Sequence, residues 1–446
     1  MPKMTIDEIK ASVAAEIDRR SDDLIDIAKH ILANPEPGFR EQKTSKYVGD
    51  QFEKLNIPFE SGIGLTGLKG VLEGGSSGPT VGVFGELDSL IVLGHPHADS
   101  LTNAAHACGH HAQIGNMLAV AVGLQAPGVL ENLSGRVALL AVPAEEYIEI
   151  EYRDDLRVEG KLEFLGGKPE FIKSGAMDDV DLAMMTHTEN RDWTHDGTIG
   201  VGATNNGMVA KRIQFLGVAS HAGGSPHLGT NALNAANIAL MGIHAQRETF
   251  RDHDTIRVHP IITQGGIAVS SVPADVRMET FVRGRTIDAY TSAAKKVDRA
   301  LRAGAMAVGG RVKITTVSGY APIQQDPLLT SIYEMNATPL VGDGNVVQMG
   351  HRSGSTDMGD VSQVMPAIHP YAAAATGKAH GDDYVVEDYE LAVTTAGKAM
   401  AHTIVDLLSE NGSRANEVIS RFTPPMTKSQ YLAFMRSLQS EEEYGE

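Results

Sequence analysis

The only cysteine of this chain stands among histidines. Cys108 lies between His106 and His110, and His111 follows directly. Thiolate and imidazole are the ligands that borderline-soft divalent metals prefer. Since a lone cysteine cannot form a disulfide within its own chain, this thiol binds a metal, acts as a nucleophile or packs in the core. The single glycine between Cys108 and His110 allows both side chains to converge on one ion.

Two adjacent carboxylates follow an apolar run further along the chain. Glu145 and Glu146 come after Val142-Pro143-Ala144. Neighbouring side chains of an extended strand point to opposite faces, so one glutamate can bind a metal while the other faces a substrate. A metal-activated water needs such a carboxylate to take its proton. His187 and His380 are further candidate ligands, although each taken alone also fits a structural role.

The elements that must position these residues alternate between buried strands and helices. Three apolar runs predict strands that lead into polar residues: Thr80–Gly85 before Glu86-Leu87-Asp88, Arg136–Val142 before the glutamate pair, and Asp181–Met185 before Thr186-His187. Helical spacing predicts helices over Ile6–Ala33, Tyr47–Leu55 and Gln113–Leu124. In open α/β sheets, ligands collect at the carboxyl ends of the strands. The pattern therefore indicates an α/β fold with its site at that edge.

A different pattern begins near Gly200 and ends near Pro322. Its predicted elements are strands over Val209–Leu216, Ile256–Thr263 and Val276–Val282 and helices over Asn231–Gln246 and Ile287–Ala307. This order is typical of a small α+β sandwich. The chain is thus predicted to form a discontinuous catalytic domain, residues 1–199 and 323–446, with a second domain, residues 200–322, inserted in it.

Composition narrows the possible partners. The formal net charge is −18 over 446 residues, which argues against nucleic acid or an acidic membrane as a partner. One cysteine suits a reducing compartment, and the sequence shows neither a membrane-spanning run nor an apolar signal core. We therefore expect a cytoplasmic protein that acts on a small molecule. The acidic tail Glu441–Glu446 is expected to be a solvated charge run.

Two other polar segments fit both a structural and a functional role. The glycine-rich segment Ser220–His227 carries two histidines that could contact a substrate. Asp357 and Asp360 stand where a helix begins, and helix capping is the simpler explanation for them.

Several motifs together resemble one metallopeptidase family. They are His106-Ala107-Cys108-Gly109-His110, Pro143-Ala144-Glu145-Glu146, Ser220–His227 with Gly229, and Gly265-Gly266 followed by Val272-Pro273-Ala274-Asp275. In type and order they are similar to the family of aminoacylases and glutamate carboxypeptidases, in the branch of hippurate hydrolase, auxin-conjugate amidohydrolases and aminobenzoyl-glutamate hydrolase. The resemblance implies a mixed-sheet α/β catalytic domain with an inserted α+β lid that serves for dimerisation.

The resemblance also implies roles for individual residues. The residues at its ligand positions for one or two divalent ions, manganese or zinc, are Cys108, His110, Glu146, His187 and His380. Glu145 matches the general base and acid, and Asp88 matches a carboxylate below the metal site. His221 matches a lid histidine that reaches the site of a neighbouring subunit, which implies a homodimer or a higher homo-oligomer. Arg283 lies near the substrate-binding arginine of the family.

The chain departs from the family pattern at three places. His111 stands where the branch has aspartate, which puts the second metal position in question, and we assign it to substrate binding. Ser270 replaces an asparagine ahead of Val272-Pro273. An extra segment, Tyr147–Lys173, separates Glu146 from the next strand and is expected to reshape the substrate pocket.

The expected activity is metal-dependent hydrolysis of a carbon–nitrogen bond. The double histidine and Glu145-Glu146-Tyr147-Ile148-Glu149 resemble aminohydrolases of 5-nitroanthranilic acid, which release ammonia from an aromatic ring. The first hypothesis is therefore hydrolytic deamination of an aromatic amine, 5-nitroanthranilate to 5-nitrosalicylate. The alternatives are an amidohydrolase of N-acyl or aminobenzoyl amino acids, an inactive binding protein of the same fold, and a hydrolase in which Cys108 is the nucleophile.

Overall fold

The structure, a computed structural model, describes residues 4–194 and 197–445. The helices of this part are α1 (Ile6–Arg19), α2 (Ser21–Leu32), α3 (Gln42–Lys54), α4 (His110–Leu124), α5 (Ile150–Val158), α6 (Gly167–Ser174), α7 (Ala232–Ala245), α8 (Ile287–Ala307), α9 (Pro327–Val341), α10 (Met358–Val364), α11 (Ala396–Leu408), α12 (Ser413–Arg421) and α13 (Lys428–Ser437). The strands are β1 (Phe59–Ile63), β2 (Gly67–Glu73), β3 (Ser76–Glu86), β4 (Leu90–Ile91), β5 (Ala104–Ala105), β6 (Ser134–Val142), β7 (Leu182–Met184), β8 (His187–Asn190), β9 (Ile199–Val201), β10 (Thr204–Asn205), β11 (Gly207–Leu216), β12 (Arg257–Val258), β13 (Ile261–Gln264), β14 (Asp275–Gly284), β15 (Arg311–Ser318), β16 (Val346–Gln348), β17 (His351–Arg352), β18 (Ala367–Ile368), β19 (Tyr371–Thr376), β20 (Val385–Val386) and β21 (Ser440–Tyr444).

A mixed sheet forms the centre of the molecule, in the order β1-β2-β6-β3-β7-β18. Strands β6, β3, β7 and β18 are parallel and β18 forms one edge, whereas β1 and β2 are antiparallel additions at the other edge. The three predicted strands are all present here, as β3, β6 and β7. Since they are parallel, their carboxyl ends meet at one edge of the sheet, and the polar residues that follow each strand are brought together there.

Helix α4 is buried along its whole length between this sheet and helices α1, α2 and α11. It has no charged side chain apart from the histidines at its start, and its apolar and small residues allow close packing on all sides. The prediction placed its start at Gln113, but the helix begins at His110. The opposite face of the sheet is covered by α6, α10 and α13. The mixed α/β architecture predicted from the sequence is confirmed.

A smaller sheet extends the edge of the site. Strand β19 pairs with β8 and β9, and β16 joins β9 on the far side. The pairing sets Tyr371 against His187, so the strand that carries a candidate ligand is flanked by an aromatic residue. Strand β9 crosses the predicted boundary at residue 200 and β10 lies just inside the predicted inserted domain, but both pair with strands of residues 346–376.

A third, antiparallel sheet is built from the predicted insertion, in the order β12-β14-β11-β15-β21, with β13 also paired to β14. Helices α7 and α8 pack on it and share its core. The single strand predicted over Ile256–Thr263 is wrong: it is split into β12 and β13 around Pro260, which has no N–H to donate to a ladder. The division into domains at residues 200 and 322 stays a prediction.

Two other expectations are corrected. The helix predicted over Ile6–Ala33 is two helices, because Arg20 leaves the helical conformation and α2 starts afresh with acidic residues in its first turn. The tail is not merely solvated: β21 pairs with β15, and Glu443 and Glu441 contact Arg311 and Lys313 at 2.6 and 2.9 Å. Glu446 lies outside the described residues.

None of the helices within the described ranges has the length and apolar character that a membrane span requires.

Candidate metal centre and active site

The loop before α4 presents Cys108 and His110 to the same side. Gly109 between them has φ +83° and caps the helix, and a Cβ at this position would lie 1.9 Å from the Thr188 hydroxyl. Only glycine therefore fits, for both conformational and steric reasons. The thiol is 9% exposed and His110 is fully buried.

Two triads of ligand atoms share the single thiol. Cys108, His110 and His187 offer three ligand atoms within 4.8 Å of one another, and Cys108, Glu146 and His380 offer a second such set. The Cys108 sulfur lies 3.3 Å from His187 Nε2, and His380 Nε2 lies 3.2 Å from a Glu146 oxygen. The structure thus brings together all five side chains expected to bind metal.

The donor set fits a divalent transition metal. Among the described residues, the buried atoms His110 Nε2 and Glu146 Oε1 make no well-formed hydrogen bond, and their near neighbours are a Glu86 oxygen at 3.0 Å and His380 Nε2 at 3.2 Å. Leaving such groups without a hydrogen bond is costly. A bound cation would satisfy both atoms. Thiolate, imidazole and carboxylate together suit zinc and manganese among the divalent metals.

The charges around the two triads favour the ionised forms of Cys108 and Glu146. Burial and Glu146 oppose ionisation of Cys108, but His187 and His110 outweigh them and lower the pKa of the thiol to about 6. Burial also disfavours a charged Glu146, yet His380 and then His110 lower the pKa of its carboxyl group. Thiolate and carboxylate are the forms that bind a metal ion.

His110 and the backbone of Glu146 are both oriented by Asp88. His110 Nδ1 lies 2.9 Å from the Asp88 carbonyl oxygen and 3.2 Å from its carboxylate, and the amide of Glu146 donates to the other carboxylate oxygen at 2.8 Å. A contact of this kind fixes the ring of a metal-binding histidine and leaves its second nitrogen free. This is the position that the resemblance implied for Asp88.

The turn that carries the glutamate pair is strained and braced. Ala144 has φ +55°, a conformation that is rare without glycine. Its amide donates to Glu41 at 2.8 Å, and the hydroxyl of Tyr320 donates to the Glu145 carbonyl. The buried guanidinium of Arg153 donates to the carbonyls of Ala144, Glu146 and Leu165.

Arg153 belongs to the extra segment Tyr147–Lys173, so this segment stabilises the turn that carries Glu145 and Glu146. The same segment supplies Tyr147 and Ile148 to the cavity wall. The prediction located this segment near the pocket but did not identify Arg153 as the residue that braces the turn.

Glu145 lines the cavity beside the two triads, and its carboxyl group has a raised pKa. Burial raises the pKa of its carboxyl group well above the usual value, and the charges of Glu86 and Glu146 raise it further. A carboxylate with a raised pKa can accept a proton near neutral pH and release it later. Glu145 also forms a third possible ligand group with Glu86 and His110.

A buried lysine neutralises this inner group. Lys168 Nζ donates to Glu86 at 2.5 Å and also to Asp357, and the other Glu86 oxygen lies 3.0 Å from His110 Nε2. All four side chains are fully buried. The capping expected of Asp357 is wrong, since its carboxylate binds Lys168 and makes no cap hydrogen bond to α10. Asp360 likewise accepts from Tyr431 and the amide of Ala321.

A cavity of about 600 Å³ extends from the ligand atoms to the third sheet. Arg283, on β14, lines it beside Phe281, and within the described part of the chain no carboxylate forms an ion pair with this guanidinium. Burial lowers the pKa of Arg283, while Glu146 and Glu145 act against that shift. The aromatic residues of the wall are Tyr147, Phe281, Tyr320 and Tyr371. The cavity therefore offers a cation and ring surfaces next to the metal ligands.

Three histidines lie elsewhere. His111 does not line this cavity: its Nε2 is 3.0 Å from the Tyr389 hydroxyl, and its ring centroid is 5.2 Å from that of His106. Consecutive helical residues point about 100° apart, so His111 faces away when His110 faces the site. His106 is buried and does not line this cavity either. His221 is exposed, and its Nδ1 accepts from the amides of Gly223 and Gly224.

The fold and the site together define a hydrolase with candidate metal ligands at the edge of a mixed α/β sheet. The sequence model of Peptidase family M20/M25/M40 matches residues 83–405, and the chain belongs to this family. It is 30% identical over 331 residues to the Xaa-Arg dipeptidase of Mus musculus, which covers 70% of this chain and 68% of that protein. It is 27% identical over 277 residues to one component of the p-aminobenzoyl-glutamate hydrolase of Escherichia coli, covering 60% of this chain and 52% of that component.

Solved structures share the fold. A Bacillus subtilis protein described as a dinuclear metal-binding peptidase of the M20 family superposes with a TM-score of 0.61 at 19% identity, covering 87% of this chain and 98% of that one. An aminobenzoyl-glutamate utilization protein from Klebsiella pneumoniae superposes with a TM-score of 0.65 at 17% identity, covering 87% and 97%.

The buried lysine yields a stability prediction. Lys168→Met leaves Glu86 and Asp357 buried without their cation, so we expect the free energy of unfolding to fall by about 3–5 kcal/mol. Urea denaturation of the purified variant measures this change. Lys161→Met removes an exposed lysine of the same segment that pairs with Glu159 and serves as the control with an unchanged midpoint. A Lys168→Met midpoint equal to that of the control would contradict the role given to this lysine.

Proposed function

We propose that this protein uses divalent metal ions to hydrolyse a carbon–nitrogen bond in a small aromatic substrate that bears a carboxylate. One observation carries the proposal: two ligand triads share Cys108 at the floor of a cavity that also contains Glu145 and the unpaired Arg283. Ligands, proton acceptor and substrate cation thus line one enclosed space.

The candidate ligands are divided between the two triads. Cys108, His110 and His187 would hold one ion, and Cys108, Glu146 and His380 would hold another. An ion in this position lowers the pKa of a coordinated water towards about 7. The dinuclear character of the Bacillus subtilis protein supports two ions, and the donor types support manganese or zinc.

Glu145 takes the proton of the attacking water and later delivers it to the leaving nitrogen. Its burial and its acidic neighbours keep its pKa raised, which suits both directions of transfer. Arg283 binds the substrate carboxylate, since its guanidinium lines the cavity and forms no ion pair with an acidic residue in the part of the chain that the structure describes. The rings of Tyr147, Phe281 and Tyr320 pack edge to face at 5.3–5.9 Å and form an apolar wall for an aromatic ring.

The specific substrate that we propose first is an amino-substituted aromatic acid of the 5-nitroanthranilate type. Water then attacks the ring carbon that bears the amine, and the nitro group para to that carbon takes up the negative charge. The C–N bond breaks as Glu145 gives its proton to the nitrogen, and ammonia leaves. The aromatic wall, Arg283 and the extra segment near the glutamate pair support this choice.

An amide substrate is the second candidate. The relatives include the p-aminobenzoyl-glutamate hydrolase component and an IAA-amino acid hydrolase of Arabidopsis thaliana, and a carbonyl carbon can take the place of the ring carbon beside Glu145. An inactive binding protein is the least supported alternative, because all five candidate ligands and Glu145 are present and converge.

The contact of His221 with the site of a neighbouring subunit stays a prediction, and so does the oligomer that this contact requires.

The role of Glu145 is tested by Glu145→Gln. The variant keeps its shape but cannot accept a proton, so we expect kcat to fall by about 10²–10⁴-fold while metal content stays the same. Steady-state kinetics and elemental analysis measure the two effects. Glu53→Gln, an exposed change on α3, is the matched control. Unchanged turnover in Glu145→Gln would remove the proposed base.

Metal removal separates the two possible roles of Cys108. Dialysis against a chelator is expected to abolish activity, and manganese or zinc is expected to restore it, because Glu145 alone does not activate water. Turnover and bound metal are followed together during the titration. Activity that survives complete removal of metal would support a nucleophilic thiol instead.

The two substrate classes are distinguished by their products. Purified protein is incubated with 5-nitroanthranilate and, separately, with p-aminobenzoyl-glutamate. Ammonia from the first indicates the aromatic deamination, and free glutamate from the second indicates the amidase.

For either substrate class, Arg283→Met is expected to raise KM about 10–100-fold, because a charged hydrogen bond to the substrate is lost. An unchanged KM would mean that the carboxylate binds elsewhere.

A further inference from the structure

His369 is an imidazole of the cavity wall to which the proposed mechanism gives no task. It lies on the link between β18 and β19 and is only 1% exposed. The sequence reasoning missed it. The sequence feature that could have identified it is its position: this histidine directly follows the short buried run Ala367–Ile368 and precedes a proline.

The backbone of His369 is held in place by one side chain. Its amide donates to Gln325 Oε1 at 2.8 Å, and Gln325 Nε2 donates back to its carbonyl at 3.4 Å and to the Ala203 carbonyl at 2.7 Å. The link therefore has one well-defined path between the two strands.

The ring faces of His369 are packed as well. Its centroid lies 4.8 Å from that of Tyr371 in a T-shaped arrangement and 5.7 Å from that of the candidate ligand His187. These contacts fix the ring beside the metal centre.

The two nitrogens of this well-fixed ring have no partner. Both are buried, and neither makes a hydrogen bond among the described residues. Leaving buried polar atoms unpaired is costly, and because His369 lines the cavity, a group bound there can supply the missing hydrogen-bond partner. Arg352, by comparison, pairs with Glu189 and lies over Tyr371.

We propose that His369 donates a hydrogen bond to an oxygen of the substrate that gains negative charge during the reaction. This inference rests on the proposed function and deepens it. The preferred substrate then carries two oxygen groups: a carboxylate for Arg283 on the third sheet, and an electron-accepting oxygen group, such as a nitro group, for His369. Because the hydrogen bond strengthens as charge develops, it lowers the barrier more than it improves binding.

The test compares His369→Phe, which keeps the ring shape without a donor, with His369→Gln, which keeps a donor. With the substrate that the wild type hydrolyses, we expect kcat to fall about 100-fold in His369→Phe and to recover at least tenfold in His369→Gln. KM is expected to change less than threefold, and metal content is expected to stay the same. His402→Phe, a histidine on α11 whose Nε2 contacts the Lys10 carbonyl, is the control with unchanged kcat.

Three results would overturn the proposal. One is wild-type kcat in His369→Phe, and another is an equal loss in the Phe and Gln variants, which would indicate packing alone. The third is loss of metal in His369→Phe, which would make this histidine a ligand.

A binding measurement keeps the test independent of turnover. If the wild type hydrolyses none of the substrates, the proposed function fails, and the absorption band of added 5-nitrosalicylate then tests His369 directly. A band shift on binding that is present in the wild type and His402→Phe but absent in His369→Phe supports the hydrogen bond. An identical spectrum with wild type and His369→Phe overturns it.

Discussion

Buried negative charge is the constraint on which this site depends. Glu86, Glu145, Glu146 and Asp357 are all buried close together, and Lys168 is the ammonium that contacts two of them. Burying unpaired carboxylates is costly, so such a cluster either takes up protons or binds cations. Burial raises the pKa of Asp357 to about 6 and that of Glu145 well above its usual value, so both groups take up a proton more readily than a free carboxyl group does. The pKa of Glu146 is lowered instead, so this carboxylate stays charged beside a thiol of lowered pKa, and the two together are suited to bind a divalent cation.

The extra segment after Glu146 provides the framework of this charge distribution. It supplies Lys168, which binds Glu86 and Asp357, and Arg153, which binds the carbonyls of Ala144 and Glu146 in the glutamate turn. Both cations are buried, and both contact groups that the central sheet carries to its edge. The strained Ala144 can persist because several hydrogen bonds determine its position. The segment therefore contacts the buried acids through Lys168 and also contributes Tyr147 to the cavity wall.

Glu146 and His187 could be predicted as candidate ligands because they follow strand ends, and parallel strands place their ends at one edge of the sheet. Cys108 and His110 could be predicted from their residue types and their spacing. Lys168 and Arg153 could not, because a long side chain that reaches its partner across many residues leaves no periodic signal. His111 was misplaced for a local reason: the start of α4 lies three residues earlier than expected, and this sets its ring about 100° away from His110. The tail strand β21 was missed because its acidic residues read as solvent-exposed, although an edge strand has one such face.

In the proposed mechanism, a division of roles within the cavity explains how one centre can act on different carbon–nitrogen bonds. The candidate metal ligands and Glu145 meet at the edge of the central sheet, and the role proposed for them is the same for a ring carbon and for a carbonyl carbon. The walls come from other elements: β14 carries Arg283, the extra segment carries Tyr147, and the β18–β19 link carries His369. A change in these walls alters which group is held and where charge is accommodated, without disturbing the donors. Specificity in this molecule is therefore a property of the cavity walls, and the reactivity is a property of the buried charges beneath them.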